Sequence, residues 1–124
     1  MEIPREYRYS PDHCWVHVVG ESARVGVCPH AIGEGESTMV TLPAHGAVLR
    51  ALDLVAEIQY AEARVKVRSP VAGSVVLVNE RLLEQPDLVG TDPFNAGWLF
   101  EVQLAYDETL EHVMDVDSYL RGVN

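Results

Sequence analysis

The stretch L-V-A-E-I-Q-Y-A-E-A-R-V-K-V-R-S-P, residues 54–70, decides the fold. Valines and cations alternate over residues 64–68, which is typical of a β-strand with one buried face and one solvated face. The stretch therefore predicts a β-hairpin, and its three cations are expected on the solvated face. The predicted tip consists of Gln59, Tyr60, Ala61, Glu62 and Ala63.

Two copies of a short repeat flank this hairpin. P-A-H-G-A-V at residues 43–48 and P-V-A-G-S-V at residues 70–75 share the pattern P-x-x-G-small-V. A strand–turn unit repeated on both sides of a hairpin predicts two similar half-sheets that close a core together.

The remaining pattern predicts a mainly β fold. Further strands are predicted at residues 13–19, 23–28, 38–42, 73–79 and 98–104. A helical turn is predicted at residues 30–36, a short helix at 84–89 and a C-terminal helix at 107–120 with Asp107 as its N-cap. The expected architecture is a flattened barrel or sandwich of two half-sheets with a short helix and a C-terminal helix. At 124 residues, the chain is expected to be a single domain over residues 1–124.

Composition excludes several classes of function. The net charge of −10 argues against binding to nucleic acid, which requires clustered Lys and Arg. No apolar run approaches the roughly 18 residues of a membrane span, and the N-terminus lacks the pattern of a signal peptide, so a cytoplasmic location is expected. The five histidines show no H-x-x-x-H spacing, and no metal site is predicted. No nucleophile–base pair or phosphate-binding loop indicates an enzyme.

Cys14 and Cys28 are candidates for a thiol pair. If their strands pair about a loop centred on Glu21, the two cysteines lie directly opposite each other, whereas a shift of one residue places them on opposite faces. Two reduced, buried side chains are the favoured interpretation, and a thiol-based carrier or redox role is the alternative. A zinc site with His13 and His30 is disfavoured, because His13 and Cys14 point to opposite sides of a strand.

The chain resembles the glycine cleavage system H protein family of the lipoyl/biotinyl-domain superfamily over nearly its whole length. The motifs that carry the resemblance are H-C-W at 13–15, V-G-V-C-P-H-A at 25–31, G-E-S-T-M-V-T-L-P at 35–43, S-P-V-A-G-S-V-V-L-V-N at 69–79, P-D-L-V at 86–89 and G-W-L-F at 97–100. The resemblance implies a lipoyl-domain-like fold. It also implies lipoate, which the family carries on a hairpin lysine to shuttle an aminomethyl group between the glycine cleavage enzymes.

The residue that corresponds to this lysine is Glu62. Counting without gaps backwards from Pro70 or forwards from Gly46 reaches Glu62, so that the family's E-S-V-K becomes Q-Y-A-E at residues 59–62. A carboxylate cannot form the amide that attaches lipoate, and we therefore expect no cofactor. Lys66, the only lysine, is the substitute attachment point, but it is expected in the middle of a strand on the outer face.

A family framework with a replaced attachment residue implies a non-enzymatic binding or scaffold protein. Its partner would be related to the glycine cleavage or lipoyl-transfer enzymes and would contact the tip, residues 59–62. Tyr60 would either anchor that interface or lean back on the sheet. The alternative is a covalent carrier, loaded at Lys66 or at a cysteine, in a glycine cleavage-type or specialised pathway.

Overall fold

A computed structural model of the chain describes residues 3–31, 37–60 and 63–122. Within these ranges, nine strands form a six-stranded and a three-stranded antiparallel sheet. The strands are β1 Arg8–Tyr9, β2 Cys14–Val19, β3 Ser22–Val27, β4 Ser37–Thr41, β5 Val48–Leu49, β6 Leu54–Tyr60, β7 Ala63–Arg68, β8 Gly73–Val78 and β9 Phe100–Leu104. Their order is β1-β2-β3-β9-β8-β5 in the large sheet and β4-β6-β7 in the small one. The predicted mainly β fold of two sheets is confirmed, and neither sheet closes into a barrel over the described residues.

The main hydrophobic core joins the two sheets. It combines inward-facing residues of the large sheet with those of the small one, because side chains alternate between the faces of each strand. Burial of this apolar surface is the dominant stabilising contribution. The buried members include Val16, Val25, Val75, Phe100 and Val102 from the large sheet and Val40, Ala56, Ile58 and Val67 from the small one.

The two copies of the repeat pair with each other. β5 begins at Val48, the last residue of the first copy. It lies antiparallel to β8, with Val48 opposite Ser74. Gly46 N–H donates to the Val75 carbonyl at 2.8 Å, and Val75 N–H donates to the Ala47 carbonyl at 2.8 Å. The two copies therefore do not lie in separate half-sheets, since both belong to the large sheet. Gly73 is required there, because a Cβ would collide with the Gln103 carbonyl of the adjacent strand.

A second hydrophobic cluster lies on the opposite side of the large sheet. Its buried members are Tyr9, Trp15, Cys28, Val116 and Tyr119. Trp15 and its neighbour Val16 belong to different clusters, as alternation along β2 requires. The two clusters show that the large sheet is covered on both faces at this end.

The C-terminal helix is much shorter than predicted. Residues 107–115 form turns, irregular segments and an isolated bridge from Met114 to Tyr9, and the helix α3 is Val116–Gly122. Leu110 adopts a φ of 60°, which is incompatible with a right-handed helix. The carboxylate of Glu108 instead accepts hydrogen bonds from Ala72 N–H at 2.5 Å and Leu110 N–H at 2.8 Å. The helix begins where Asp115 accepts the N–H of Ser118 at 2.8 Å, so Asp115 takes the capping role predicted for Asp107.

The other predicted helices agree less well with the structure than the predicted strands do. The predicted helix at 84–89 is wrong, because the structure has two single-turn helices, α1 Arg81–Glu84 and α2 Leu88–Thr91, on either side of Pro86. Pro86 has no N–H to continue the first helix. The strand predicted from Trp98 begins at Phe100. The strands predicted at 13–19, 23–28, 38–42 and 73–79 are confirmed to within one residue at each end. Of the helical turn predicted at 30–36, a 3₁₀ turn at Pro29–Ala31 is present, and residues 32–36 lie outside the described residues.

Candidate functional site

The candidate site is the hairpin formed by β6 and β7. Its register pairs Glu57 with Lys66, Ile58 with Val65, Gln59 with Arg64 and Tyr60 with Ala63. Ile58 is fully buried in the main core, and Val65 packs against that core. The pattern of valines and cations thus folds as predicted, with the valines directed towards the core and the cations exposed.

Three of the five residues predicted at the tip belong to the strands of the hairpin. Gln59 and Tyr60 are the last residues of β6, Ala63 is the first residue of β7, and the Tyr60–Ala63 pair is the last described pair of the hairpin. Cross-strand pairing includes these three residues, so they lie at the strand ends on either side of residues 61–62. Gln59 and Tyr60 are half-buried. The other two tip residues, Ala61 and Glu62, lie outside the described residues.

Lys66 lies in the middle of β7, as predicted. It is exposed and stands directly opposite Glu57, three cross-strand pairs away from the Tyr60–Ala63 pair. It forms no ion pair with another residue in the part of the chain that the structure describes. Its amine is therefore accessible, but it does not occupy the end of the hairpin.

The exposed surface of the small sheet carries two cross-strand rows. One row is Met39–Gln59–Arg64, and the next is Thr41–Glu57–Lys66. At the base of the hairpin, Leu54 lies opposite Arg68. We call these eight residues the outer face. Met39 and Leu54 are 54% and 52% exposed, and sequence analysis assigned neither of them to a site. The strand pattern of residues 38–42 identifies β4, but only the fold shows which strand it joins.

Two polar contacts order the outer face. Arg64 Nη1 lies 3.4 Å from Glu57 Oε1, diagonally across the hairpin, and Arg68 Nη1 donates to the Leu52 carbonyl at 3.1 Å. Both guanidinium groups belong to exposed residues, so these contacts hold the side chains near the sheet without removing their charge from solvent.

The structure does not bring Cys14 and Cys28 opposite each other. Val19 pairs with Ser22 across the two-residue turn Gly20-Glu21, and Cys14 consequently pairs with Val27. Of the two registers considered, the structure has the one shifted by one residue, which places the two cysteines on opposite faces of the sheet. Gly20 has a φ of 62°, which a tight two-residue turn of this kind needs and glycine adopts without strain. Both thiols are free, and the two cysteines belong to different hydrophobic clusters.

Neither cysteine is in an environment that activates a thiol. Burial raises the pKa of each thiol to about 12, and hydrogen bonding by Ser10 to Cys14 and by Tyr119 to Cys28 offsets only part of this increase. Because the thiolate is the nucleophilic form, both cysteines are unreactive at neutral pH.

His13, His30 and Tyr119 form a polar cluster under α3. His13 Nδ1 lies 2.7 Å from the Tyr119 hydroxyl, and the two imidazole rings stack with their centroids 6.0 Å apart. Burial, followed by the nearby His30, lowers the pKa of His13. The described residues contain no group of three or more His, Cys, Asp and Glu side chains arranged to hold a metal ion. The hydrogen bond between His13 and Tyr119 and the edge contacts of both histidine rings with the Tyr119 ring join α3 to the segments before β2 and after β3.

Comparison with known proteins identifies the family. The family model described as Glycine cleavage H-protein matches residues 7–124. The chain is 38% identical to the glycine cleavage system H protein of Alcanivorax borkumensis over 119 residues, which cover 95% of this chain and 93% of the relative. It is 33% identical to the H protein of Bacillus mycoides over 125 residues, which cover 100% and 98% of the two chains. The chain belongs to the glycine cleavage H-protein family.

A solved structure agrees with this assignment. The crystal structure of a glycine cleavage system H protein from Mycobacterium marinum superimposes with a TM-score of 0.87 at 26% sequence identity, covering 96% of this chain and 97% of that one. H proteins are carrier proteins rather than enzymes, they carry lipoate, and they interact with the enzymes of the glycine cleavage system. None of the described helices is long and apolar enough to cross a membrane.

Proposed function

We propose that this H-protein-family chain is a non-lipoylated binding or scaffold module of the cytoplasm. As a single domain over residues 1–124, it engages a protein related to the glycine cleavage or lipoyl-transfer enzymes through the end of the β6–β7 hairpin. The retained family fold supports the kind of partner. The two free cysteines support a reducing compartment.

One observation carries this proposal: the position of the only lysine. Lipoate is attached through an amide to a lysine amine, and the sequence places Glu62 where the family has that lysine. Lys66 lies within β7, with Glu57 as its cross-strand neighbour. Moving Lys66 to the end of the hairpin would require a register slip that displaces Val67, which is buried in the main core. The chain's own residues therefore do not fit lipoate in the family's manner.

The described end of the hairpin offers a contact surface instead. Gln59 and Tyr60 are half-buried at the last positions of β6, so each retains accessible surface next to the strand end. Tyrosine is enriched among residues that dominate interfaces, because its ring buries a large area and its hydroxyl finds a hydrogen bond. Tyr60 is the residue on which we expect partner binding to depend most.

Intact-protein mass tests the cofactor part of the proposal. The chain is isolated from its native host and, separately, co-expressed with a lipoyl ligase and lipoate. We expect the unmodified mass in both preparations, and we expect Glu62→Lys to gain one lipoyl group under the same co-expression. A lipoyl group on the unaltered chain, located at Lys66 by peptide mapping, would contradict the proposal. Failure of Glu62→Lys to be modified would show that Glu62 is not the equivalent position.

Binding to purified family partners tests the scaffold part. The aminomethyltransferase, the glycine decarboxylase and a lipoyl ligase from the same organism are each titrated with the chain. We expect one of them to bind and expect Tyr60→Ala to weaken that binding at least tenfold, a loss of about 1.4 kcal/mol. Tyr106→Ala is the matched control, since Tyr106 is fully exposed in a turn after β9. Equal effects of the two substitutions, or no binding to any of the three enzymes, would count against this function.

The alternative function is a covalent carrier loaded at Lys66. The exposed position of this lysine and the absence of an ion pair with another described residue favour it. Loading at a cysteine has less support, because both thiols are buried with a pKa of about 12. An adduct on Lys66 in protein from the native host would establish the carrier. Two thiols that react with a disulfide reagent only after unfolding would exclude cysteine loading.

A further inference from the structure

The outer face of the small sheet differs in charge from the molecule as a whole. The chain has 19 acidic residues and 9 lysines and arginines. Three of those nine cations, Arg64, Lys66 and Arg68, occupy alternate positions of β7, and all three are exposed. Glu57 is the one carboxylate among the eight residues of the outer face. This face is therefore cationic on an otherwise acidic protein.

The geometry of the strand sets the spacing of these charges. Alternate residues of a strand are about 7 Å apart and project from the same side, so the three cations form a line about 14 Å long. β7 is the terminal strand of its sheet over the described residues. The line of cations therefore runs along a strand that no other described strand covers on its far side.

Two exposed apolar side chains share the outer face with the line of cations. Leu54 lies directly opposite Arg68, whereas Met39 lies on β4, at the far end of the row that contains Arg64, with Gln59 between them. Both are more than half exposed, and both adjoin a break in strand register, Met39 in β4 and Leu54 in β6. Methionine packs well against irregular surfaces, and apolar contacts next to charged ones are typical of protein interfaces.

We propose that this outer face binds an extended acidic segment of another protein. Charge complementarity selects the occupant, because a strand with alternate carboxylates places them about 7 Å apart, in step with Arg64, Lys66 and Arg68. Leu54 supplies an apolar contact next to Arg68, and Met39 supplies one on β4, at the other edge of the same face. The inference deepens the proposed binding function by naming the chemistry of the partner.

A second copy of the chain fits the face less well. Cations along a terminal strand oppose edge-to-edge pairing of two such strands, because each strand would bring Arg64, Lys66 and Arg68 towards those of the other copy. Nucleic acid is opposed more strongly than an acidic segment, because duplex DNA carries one negative charge about every 1.7 Å, a density that does not match cations about 7 Å apart. An acidic segment on a different protein avoids the edge-to-edge repulsion, because it meets the cations directly.

The test uses peptide selection and therefore does not depend on a glycine cleavage enzyme. A random peptide library is panned on the intact chain at physiological ionic strength, and the amides perturbed by an enriched peptide are mapped by ¹⁵N NMR. We expect enriched peptides to carry an excess of Asp and Glu and to perturb residues of β7 and the Met39 row. Raising the ionic strength from about 0.15 M to about 1 M shortens the Debye length from about 8 Å to about 3 Å and should weaken binding strongly.

Two triple variants, each with three positive charges removed, test whether the peptide binds at the outer face. Arg64→Gln/Lys66→Gln/Arg68→Gln removes three positive charges from the outer face and should raise the peptide's Kd at least tenfold. Arg8→Gln/Arg81→Gln/Arg121→Gln removes three positive charges from exposed positions outside the small sheet and should leave the Kd within about twofold. Thermal unfolding of both variants confirms that they fold.

Several results would overturn this inference. They are the absence of an acidic excess, failure to enrich any peptide, equal effects of the two triple variants, and tighter binding of an oligonucleotide than of the peptide. Sedimentation velocity of the chain alone tests whether a second copy of the chain occupies the outer face. A dimer that is lost in Arg64→Gln/Lys66→Gln/Arg68→Gln, but not in the control variant, would assign the face to a second copy. Each result is separate from the enzyme titrations, so the scaffold function can stand or fall without this inference.

Discussion

The β6–β7 hairpin and the C-terminal helix region are built by different kinds of contact. The hairpin is formed by neighbours in sequence, and its outer face is exposed and charged. The helix region is assembled from the two ends of the chain, as in the His13–Tyr119 contact and the Arg5–Asp117 ion pair. The difference indicates that the helix region mainly maintains the fold and that the hairpin is available for binding.

Removing the central ring of the helix region should have the largest effect. Tyr119 is buried, its ring stacks on Tyr9 at a centroid distance of 5.0 Å, and its hydroxyl lies 2.7 Å from His13 Nδ1. Tyr119→Ala should lower the free energy of unfolding by about 3–5 kcal/mol, through the cavity and the lost hydrogen bond. Tyr106→Ala, at a fully exposed tyrosine, should change it by less than about 0.5 kcal/mol. Urea unfolding measures both, and similar costs would remove the proposed structural role of α3.

The second comparison uses adjacent residues of β7. Val67 is buried in the main core, whereas Lys66 is exposed on the outer face. Val67→Ala should cost about 2 kcal/mol of unfolding free energy, since the lost methyl groups leave a cavity between the sheets. Lys66→Ala should cost less than about 0.5 kcal/mol. If Lys66→Ala proves as destabilising as Val67→Ala, the division of this strand into a structural and a binding face is wrong.

Sequence patterns predicted the hairpin better than the helix region for a physical reason. Alternation along residues 64–68 reports directly which side chains are buried, because neighbouring strand residues point to opposite faces. The register of β2 against β3 depends on the length of one turn, so the sequence left open two placements of Cys28 relative to Cys14, which differ by one residue. The outer face escaped detection for the same reason, since no local pattern shows that Met39 and Arg64 share a row.

The predicted C-terminal helix failed because a tertiary contact overrides local propensity. Leu110, Val113 and Met114 have helical spacing, but Glu108 bonds to the Ala72 N–H, and Met114 exchanges hydrogen bonds with Tyr9. These contacts fix residues 107–115 as turns that cross to the large sheet. A single sequence carries no signal for partners so far apart.

A smaller loss of stability is expected from removing Glu108, which joins the segment before α3 to the segment before β8. Its two oxygens accept the N–H groups of Ala72 and Leu110, so Glu108→Ala leaves two backbone donors without these partners. Hydrogen bonds to a charged acceptor contribute about 1.5–3 kcal/mol when buried, and this partly buried site should lose about 1–2 kcal/mol. Urea unfolding is again the measurement, with Glu111→Ala, an exposed carboxylate in the same segment, as the control. Equal stability of the two variants would show that the turns do not depend on Glu108.

The smallest expected effect is a dependence of the helix region on pH. Burial and His30 hold the pKa of His13 below its ordinary value of 6.5, whereas Asp12 acts in the opposite direction. Between the lowered pKa and about 6.5, the unfolded chain binds more protons than the folded chain, so the free energy of unfolding falls as the pH falls through this window. The hairpin region should contribute little to this slope, because no histidine lies on β6 or β7.

His13→Asn separates this contribution from the other titrating groups. Asparagine tolerates the positive φ of 67° at this position and does not titrate. The variant should therefore lose less stability than the unaltered chain between about pH 7 and about pH 5 in urea unfolding. His45→Asn is the control for replacing a histidine by asparagine, because His45 is exposed in a turn outside the Tyr119 cluster. A His13→Asn curve parallel to that of the unaltered chain would show that acid sensitivity does not arise where α3 is anchored.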